Sequence, residues 1–435
     1  MFIVTIINTH MIRLERIELI NALKAVINQV PQRPTHPVLG TLLLKFSNGI
    51  VEITAFDLSE LATARIPYIL PTTEDTAINF CLGSPTVFNK LINTLDTDYI
   101  DIEPKLEEAT CHLNADGSHY DFPIMSDEEY PNTVMDAKSN PLGFIRLDNR
   151  FSDAFQVASQ TVSTDSTKQV LTGLNFRLYQ DGGVKLVGTD GHRLTTARFK
   201  SSVMSLNQET VWKANEDEWD EEDWARFGDL TEEDVAKSAT IKLTDVTVCP
   251  DVLSSVVRTA DSFDIYFGEG VFNIELFKVD GDDRELLPYS YAGRIKDGAY
   301  PVVEQLIPVT FKHEFHCSLN RMIDILERFS LFPIKNSVIH FNYNSHDCEY
   351  ISLSIEDESR VNTEKLTCQA SFDDTEQYTI GFNLKYLMEA LKAFKVYGTK
   401  EVLFKLNESS QAVIIEPIGS VIQTLTLLMP VQIRR

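Results

Sequence analysis

Apolar and polar residues alternate with a strand period along many short stretches of this chain, and a few longer stretches break that rhythm with helical spacing. In residues 16–30, Leu19, Ile20, Leu23, Val26, Ile27 and Val30 fall on one helical face. Comparable stripes predict helices over 148–160 and 319–331. A second set is predicted over 84–95, 250–259 and 382–395, the last with Leu384, Leu387, Met388, Leu391 and Phe394 on one side. Between each helix of the first set and the helix of the second set that follows it lie strand candidates, beginning with 38–44, 170–176 and 334–341.

The pattern repeats. VEITAFDLSELATARI (51–66) lies over VKLVGTDGHRLTTARF (184–199) without a gap, matching Val51/Val184, Asp57/Asp190, Leu61/Leu194, Thr63/Thr196, Ala64/Ala197 and Arg65/Arg198. A fainter third copy is ISLSIED (351–357), which alternates and ends on an Asp. Each copy reads strand, helix, three strands, helix, three strands over about 130 residues. The expected class is α+β, with three tandem repeats, each of two helices packed on antiparallel sheets. EEYP (128–131) and GAYP (298–301) close the first two repeats, and Pro there ends regular structure. The predicted domains are 1–141, 142–308 and 309–435. Only the middle one is longer, by an insertion at about 201–240.

Composition narrows the class further. The chain has 435 residues, 43% apolar and 24% charged, the balance of a soluble protein, and no run suits a membrane helix. MFIVTII at the start lacks the basic flank and cleavage site of a secretory signal, so the cytoplasm is the expected location. The six cysteines are scattered, and neither His316-Cys317 nor His346 with Cys348 completes a four-ligand set, so no metal or cofactor is expected. A net charge of −25 argues at face value against a nucleic-acid partner. Much of that excess sits in NEDEWDEEDWARFGDLTEED (215–234), within the insertion, which reads as a solvated loop that Trp212, Trp219 and Trp224 pin in part.

GTDGHRL (188–194) is the segment with candidate chemistry. Alternation on both sides predicts a hairpin turning at Asp190-Gly191. The aligned first copy keeps Asp57 but neither the His nor the Arg, which assigns the Asp to the turn and leaves His192 and Arg193 special to the second copy. Three readings stand at this point: an exposed structural hairpin, a binding surface, or a hydrolase or transferase site centred on Asp190 and His192. No GxSxG, HExxH, Walker A or GxGxxG motif accompanies the segment.

RPTHPVLG (33–40), STDSTKQVLTG (163–173), GTDGHRL, DGAYP (297–301) and LLMPV (427–431), in that order, resemble the bacterial sliding clamp, the beta subunit of DNA polymerase III. The first ten residues fall outside the likeness as an N-terminal extension. The resemblance implies three DNA-clamp domains per chain and a head-to-tail homodimer that closes a ring around double-stranded DNA without catalysing a reaction. It implies, too, a hydrophobic pocket for short motifs of the polymerase III catalytic subunit, the clamp loader and other clamp-binding proteins. Carried over, the pocket comprises Leu171, Thr189, Gly191, His192, Arg193, Leu194, Pro301, Gln305, Leu306, Leu427, Met429, Pro430 and Val431. Gln305 stands where the family has Arg, and the tail reads MPVQIRR, both of which imply an altered motif preference. For the DNA-facing wall, Arg321 with Arg328 and Lys385 with Lys392 are each seven residues apart on one helix and so share a face. Lys24 projects away from its apolar stripe, and Arg33 and Lys168 stand at basic positions of the family. The alternative is a clamp-fold paralogue that acts as an interaction scaffold without encircling DNA.

Overall fold

The computed structural model describes residues 11–69, 77–131, 135–207, 209–229, 231–251, 253–254, 257–332, 337–347, 349–357, 360–372 and 377–431. The chain divides into two units, one holding the residues up to Asn149 with Ser205–Glu209 and Cys249–Ile295, the other Arg150–Met204, Thr210–Val248 and Lys296–Arg435.

In the first unit, α1 (Arg16–Val26) buries Leu19, Ile20, Leu23 and Val26, as its stripe predicts, and α2 (Pro85–Thr94) buries Phe88 and Ile92 beside it. Both lie on an antiparallel ribbon in the order Ile12–Glu15, Tyr99–Lys105, Thr110–Ala115, Ser118–Met125, Ile78–Leu82, Leu42–Ser47, Ile50–Phe56, Glu60–Pro67, Asp283–Arg294, Val271–Asp280, Ser262–Phe267 and Gly143–Asp148. Leu61 pairs with Ala292 where the distant strand Asp283–Arg294 joins.

The second unit carries α3 (Arg150–Ser159), the short α4 (Glu221–Phe227) and α5 (Glu232–Ser238), then α6 (Leu319–Ser330) and α7 (Leu384–Ala393). The side chains of Ser318 and Asn383 cap α6 and α7 by accepting the amides of Arg321 and Tyr386, and such caps are worth about 1 kcal/mol each. Met322, Ile323, Leu326 and Phe329 of α6 and Leu387 and Leu391 of α7 enter one core, where each fully buried side chain contributes roughly 1.5–3 kcal/mol. The sheet beneath runs Lys242–Val248, Leu174–Tyr179, Gly183–Thr189, Arg193–Lys200, Gln423–Leu428, Val413–Pro417, Glu401–Leu406, His313–Ser318, Arg360–Phe372, Tyr350–Asp357, Val338–Asn344 and Gln377–Asn383. The class is α+β, as expected.

Several local expectations shift. The strands expected at 38–44 and 170–176 start late, because Pro37–Gly40 and Gln169–Thr172 are 3-10 turns. Threonine hydroxyls close both, Thr41 donating to the Val38 carbonyl and Thr172 to that of Gln169, and apolar residues there mimicked a strand. The start of the strand expected at 334–341 lies outside the described residues, and Val338–Asn344 forms its remainder. The helix expected at 250–259 lies partly outside them as well, with Val257–Thr259 a 3-10 turn. The acidic insertion is folded rather than a bare loop. Trp219 packs on Trp224 and Phe227 with ring centroids 4.9 and 5.5 Å away, and Lys213 pairs with the buried Asp223. Among the described residues no helix is long and apolar enough to cross a membrane. His316 and Cys317 alternate across one strand with the thiol buried, and Cys348 lies outside the described residues.

Candidate functional site

Strands Gly183–Thr189 and Arg193–Lys200 are joined by Asp190, Gly191 and His192. Asp190 Oδ1 accepts the amides of His192 at 2.8 Å and Arg193 at 3.0 Å, so its carboxylate builds the turn. In the aligned first copy Asp57 accepts the amides of Ser59 at 2.8 Å and Glu60 at 2.7 Å. Gly191 adopts φ +90°, where a glycine is favoured, and Leu58 holds the matching position at φ +80°.

Arg193 is 9% exposed despite its charge. Its Nε donates to Asp190 Oδ2 at 3.0 Å, its Nη1 to Glu389 Oε2 at 2.6 Å, and its guanidinium lies 4.4 Å from the Tyr386 ring centroid. The residue therefore fastens the hairpin to α7. His192 stays exposed, its ring 6.4 Å from that of Tyr386. Asp190, Arg193 and Glu389 are engaged in structural pairs, an arrangement suited to holding a shape.

Behind the turn, Leu194 and Leu427 face each other across neighbouring strands and form an apolar floor with Val187, Tyr300, Val303 and Ile414, flanked by Leu171. The Tyr300 hydroxyl donates to the Val187 carbonyl at 3.3 Å, and burial pushes its pKa up. Leu306, 58% exposed, and Met429, 44% exposed, stand free at the site. The tail is held by its backbone: Met429 N–H donates to the His192 carbonyl at 3.1 Å and Val431 N–H to that of Gly381 at 2.8 Å, with Pro430 between. Thr189 is buried, and its hydroxyl donates to the Arg193 carbonyl at 2.7 Å.

The segment with Pro301, Gln305 and Leu306 is clamped from below. Arg177, 4% exposed, donates to the Pro301 carbonyl at 3.0 Å and to Glu304, which Lys185 also reaches at 3.1 Å. Burial acts to raise the Glu304 carboxyl, but the hydrogen bonds from Arg177 and Lys185 outweigh it and hold the group at about 2. Sequence reasoning missed Arg177, Lys185, Glu304, Tyr386 and Glu389. Arg177 left one signal, a charge within the apolar strand Leu174–Tyr179.

The thirteen pocket residues expected from the resemblance thus all lie in the second unit, Leu171 in the 3-10 turn Gln169–Thr172 and the others on the hairpin, the segment after Tyr300 and the tail. The expected DNA-facing residues are dispersed. Lys24 and Arg33 in the first unit are exposed without an ion pair among the described residues. In the second, Lys168 borders a polar cleft of about 640 Å3 shared with His192, Arg193, Tyr386 and Glu389. Arg328 and Arg321 both approach Glu364, at 2.7 and 3.9 Å, which places them on one face. Lys392 pairs with Glu327 at 2.8 Å, and Lys385 lies 3.8 Å from Glu389. The hydrogen bond from Arg328 holds Glu364 below the usual carboxylate range, and the one from Lys392 does the same for Glu327.

Comparison with known proteins identifies the family and the fold. The profile of the DNA polymerase III beta subunit, N-terminal domain, matches residues 10–134, and that of the C-terminal domain matches 304–432. The beta sliding clamp of Synechocystis sp. is 28% identical over 434 residues, covering 96% of this chain and 97% of its own. That of Synechococcus elongatus is 24% identical, covering 96% and 98%. The crystal structure of the DNA polymerase III beta subunit from Thermotoga maritima superposes with a TM-score of 0.74 at 16% identity, over 98% of this chain and 100% of that one.

Proposed function

The chain belongs to the DNA polymerase III beta subunit family and is a DNA sliding clamp, and from that premise we propose that two copies close head to tail into a ring around duplex DNA. Each copy contributes three clamp domains, 1–141, 142–308 and 309–435. Two free edges support the closure. Strand Ser118–Met125 pairs on its outer side only at Ile124 and Met125, leaving Ser118 to Phe122 without a strand partner among the described residues. Strand Arg360–Phe372 is likewise open from Arg360 to Leu366 on the side away from Tyr350–Asp357. Unpaired edges of this length are templates for a second chain.

The pocket of the second unit docks short apolar motifs of the polymerase III catalytic subunit, the clamp loader and other clamp-binding proteins. Leu306 and Met429 grip the ligand's apolar side chains, His192 and Tyr386 border it, and Arg193 keeps the turn in place. The carrying observation is the convergence of three segments far apart in sequence on one apolar floor with an exposed rim. The clamp acts in the cytoplasm and catalyses nothing; it tethers enzymes that do. Its hold on DNA is topological, so weak phosphate attraction suffices, and cations moderated by Glu327, Glu364 and Glu389 suit sliding better than a bare basic wall. The test is fluorescence anisotropy with a labelled C-terminal peptide of the polymerase catalytic subunit. Saturable binding that Leu306→Glu abolishes supports the docking role, and equal affinity for that variant removes it.

A further inference from the structure

The hairpin of Thr110–Ala115 and Ser118–Met125 offers its edge backbone to the proposed ring closure, but a side-chain cluster on its outer face serves neither that pairing nor the pocket. Its inner face is core, with Cys111, Leu113 and Phe122 buried. On the outer face His112 stands opposite Asp121 and Asn114 opposite His119, a square of four side chains fixed by the strand register. His112 Nδ1 lies 2.6 Å and His119 Nε2 2.8 Å from the same Asp121 oxygen, Oδ1, and the two rings are 5.0 Å apart. His119 Nδ1 lies 2.8 Å from Asn114 Oδ1.

We propose that His112, His119 and Asp121 form a binding site for a divalent transition-metal ion of the zinc class. Two imidazole nitrogens and one carboxylate oxygen are a donor set that such ions prefer over magnesium or calcium. The three donor atoms lie within 4.8 Å of one another. Tetrahedral bonds of about 2.0–2.1 Å need donors roughly 3.4 Å apart, so the ion takes its place by small rotations of side chains that are at least partly exposed. In the recorded orientation His119 offers both ring nitrogens to acceptor oxygens, and a neutral ring has one N–H to give. With the ion at Nε2, the Nδ1 proton donates to Asn114, the outer-sphere contact that orients many metal-bound histidines. A fourth position faces solvent. The two histidines and the aspartate come from strands only two residues apart at their turn, so binding pins the hairpin whose outer edge is free.

The test is calorimetric titration of chelator-stripped full-length protein with zinc chloride, and X-band EPR with copper(II) as a second probe. Expected are about one zinc per chain and copper hyperfine structure from two imidazole nitrogens. The double variant His112→Gln, His119→Gln, checked for unchanged circular dichroism, loses that binding, whereas Asn114→Ala keeps the stoichiometry and weakens affinity about 10-fold. Zinc binding of equal strength in the double variant, or no heat with wild-type protein at high micromolar zinc, overturns the site.

Discussion

The two aligned hairpins have nearly one backbone and two different uses. In each, an aspartate closes the turn, and a strand arriving from far along the chain pairs beside it. Arg294 N–H donates to the Ser59 carbonyl at 2.9 Å in the first, and Met429 N–H to the His192 carbonyl at 3.1 Å in the second. The side chains separate them. Phe56 fills the floor of the first junction, together with Val38, Leu39 and Tyr130, and the incoming strand brings Ala292. Thr189 replaces that ring in the second, and Leu427 arrives on the paired strand with Met429 just beyond its end. Glu60, 3% exposed, is hydrogen-bonded by Gln29 at 3.0 Å, whereas Arg193 reaches out to α7. A docking site here is a decoration of a generic strand junction: the turn chemistry is common property, and the size of one floor residue and the make-up of one tail separate filled from open.

The largest effect expected from breaking that contrast is at Arg177. Arg177→Met strips Glu304 and the Pro301 carbonyl of their buried partner and should cost about 2–3 kcal/mol in chemical denaturation. Lys45→Met, at the exposed matching position of the first copy, should stay within about 0.5 kcal/mol. Next, Met429→Ala with Pro430→Ala should weaken peptide binding by roughly 1 to 3 kcal/mol in a titration, while Arg294→Ala at the first junction leaves it unchanged. Smaller and opposite in sign are two turn substitutions followed by thermal melting. Gly191→Ala should destabilise by about 1 kcal/mol, and Leu58→Gly, which relieves the same backbone region, should stabilise by about that amount.

The smallest expected change is with pH. The Glu304 carboxyl is held at about 2, below the ordinary glutamate value of about 4.3, so the stability it contributes is complete above the latter and disappears as pH falls through the former. Between pH 7 and about 3.5 its side-chain carbon resonance should not move in NMR; a midpoint near the ordinary value would mean that the clamp of Arg177 and Lys185 is absent in solution.

Helical stripes were legible because they are local: the sets around Leu19, Met322 and Leu387 face the core as their spacing requires. The aspartate's role in the turn was legible too, since an internal copy without the His and Arg served as a control. Strand starts at 38 and 170 misled, because a 3-10 turn closed by threonine carries the same apolar letters. The partners of Arg193 and Arg177 were hidden for a different reason. Glu389 and Glu304 lie 196 and 127 residues away along the chain, and no periodicity reports a contact made only after folding. The acidic insertion misled through composition, since three tryptophans and a phenylalanine outweigh its charge locally.

The most direct measurement of the central claim uses a nicked circular plasmid onto which labelled protein has been placed by a clamp loader, followed by gel filtration before and after a single restriction cut. Encirclement predicts that the protein co-elutes with the circle and is lost once the DNA has ends. Protein that stays with the linear product at the same ionic strength would contradict a topological hold and return the chain to the role of a scaffold.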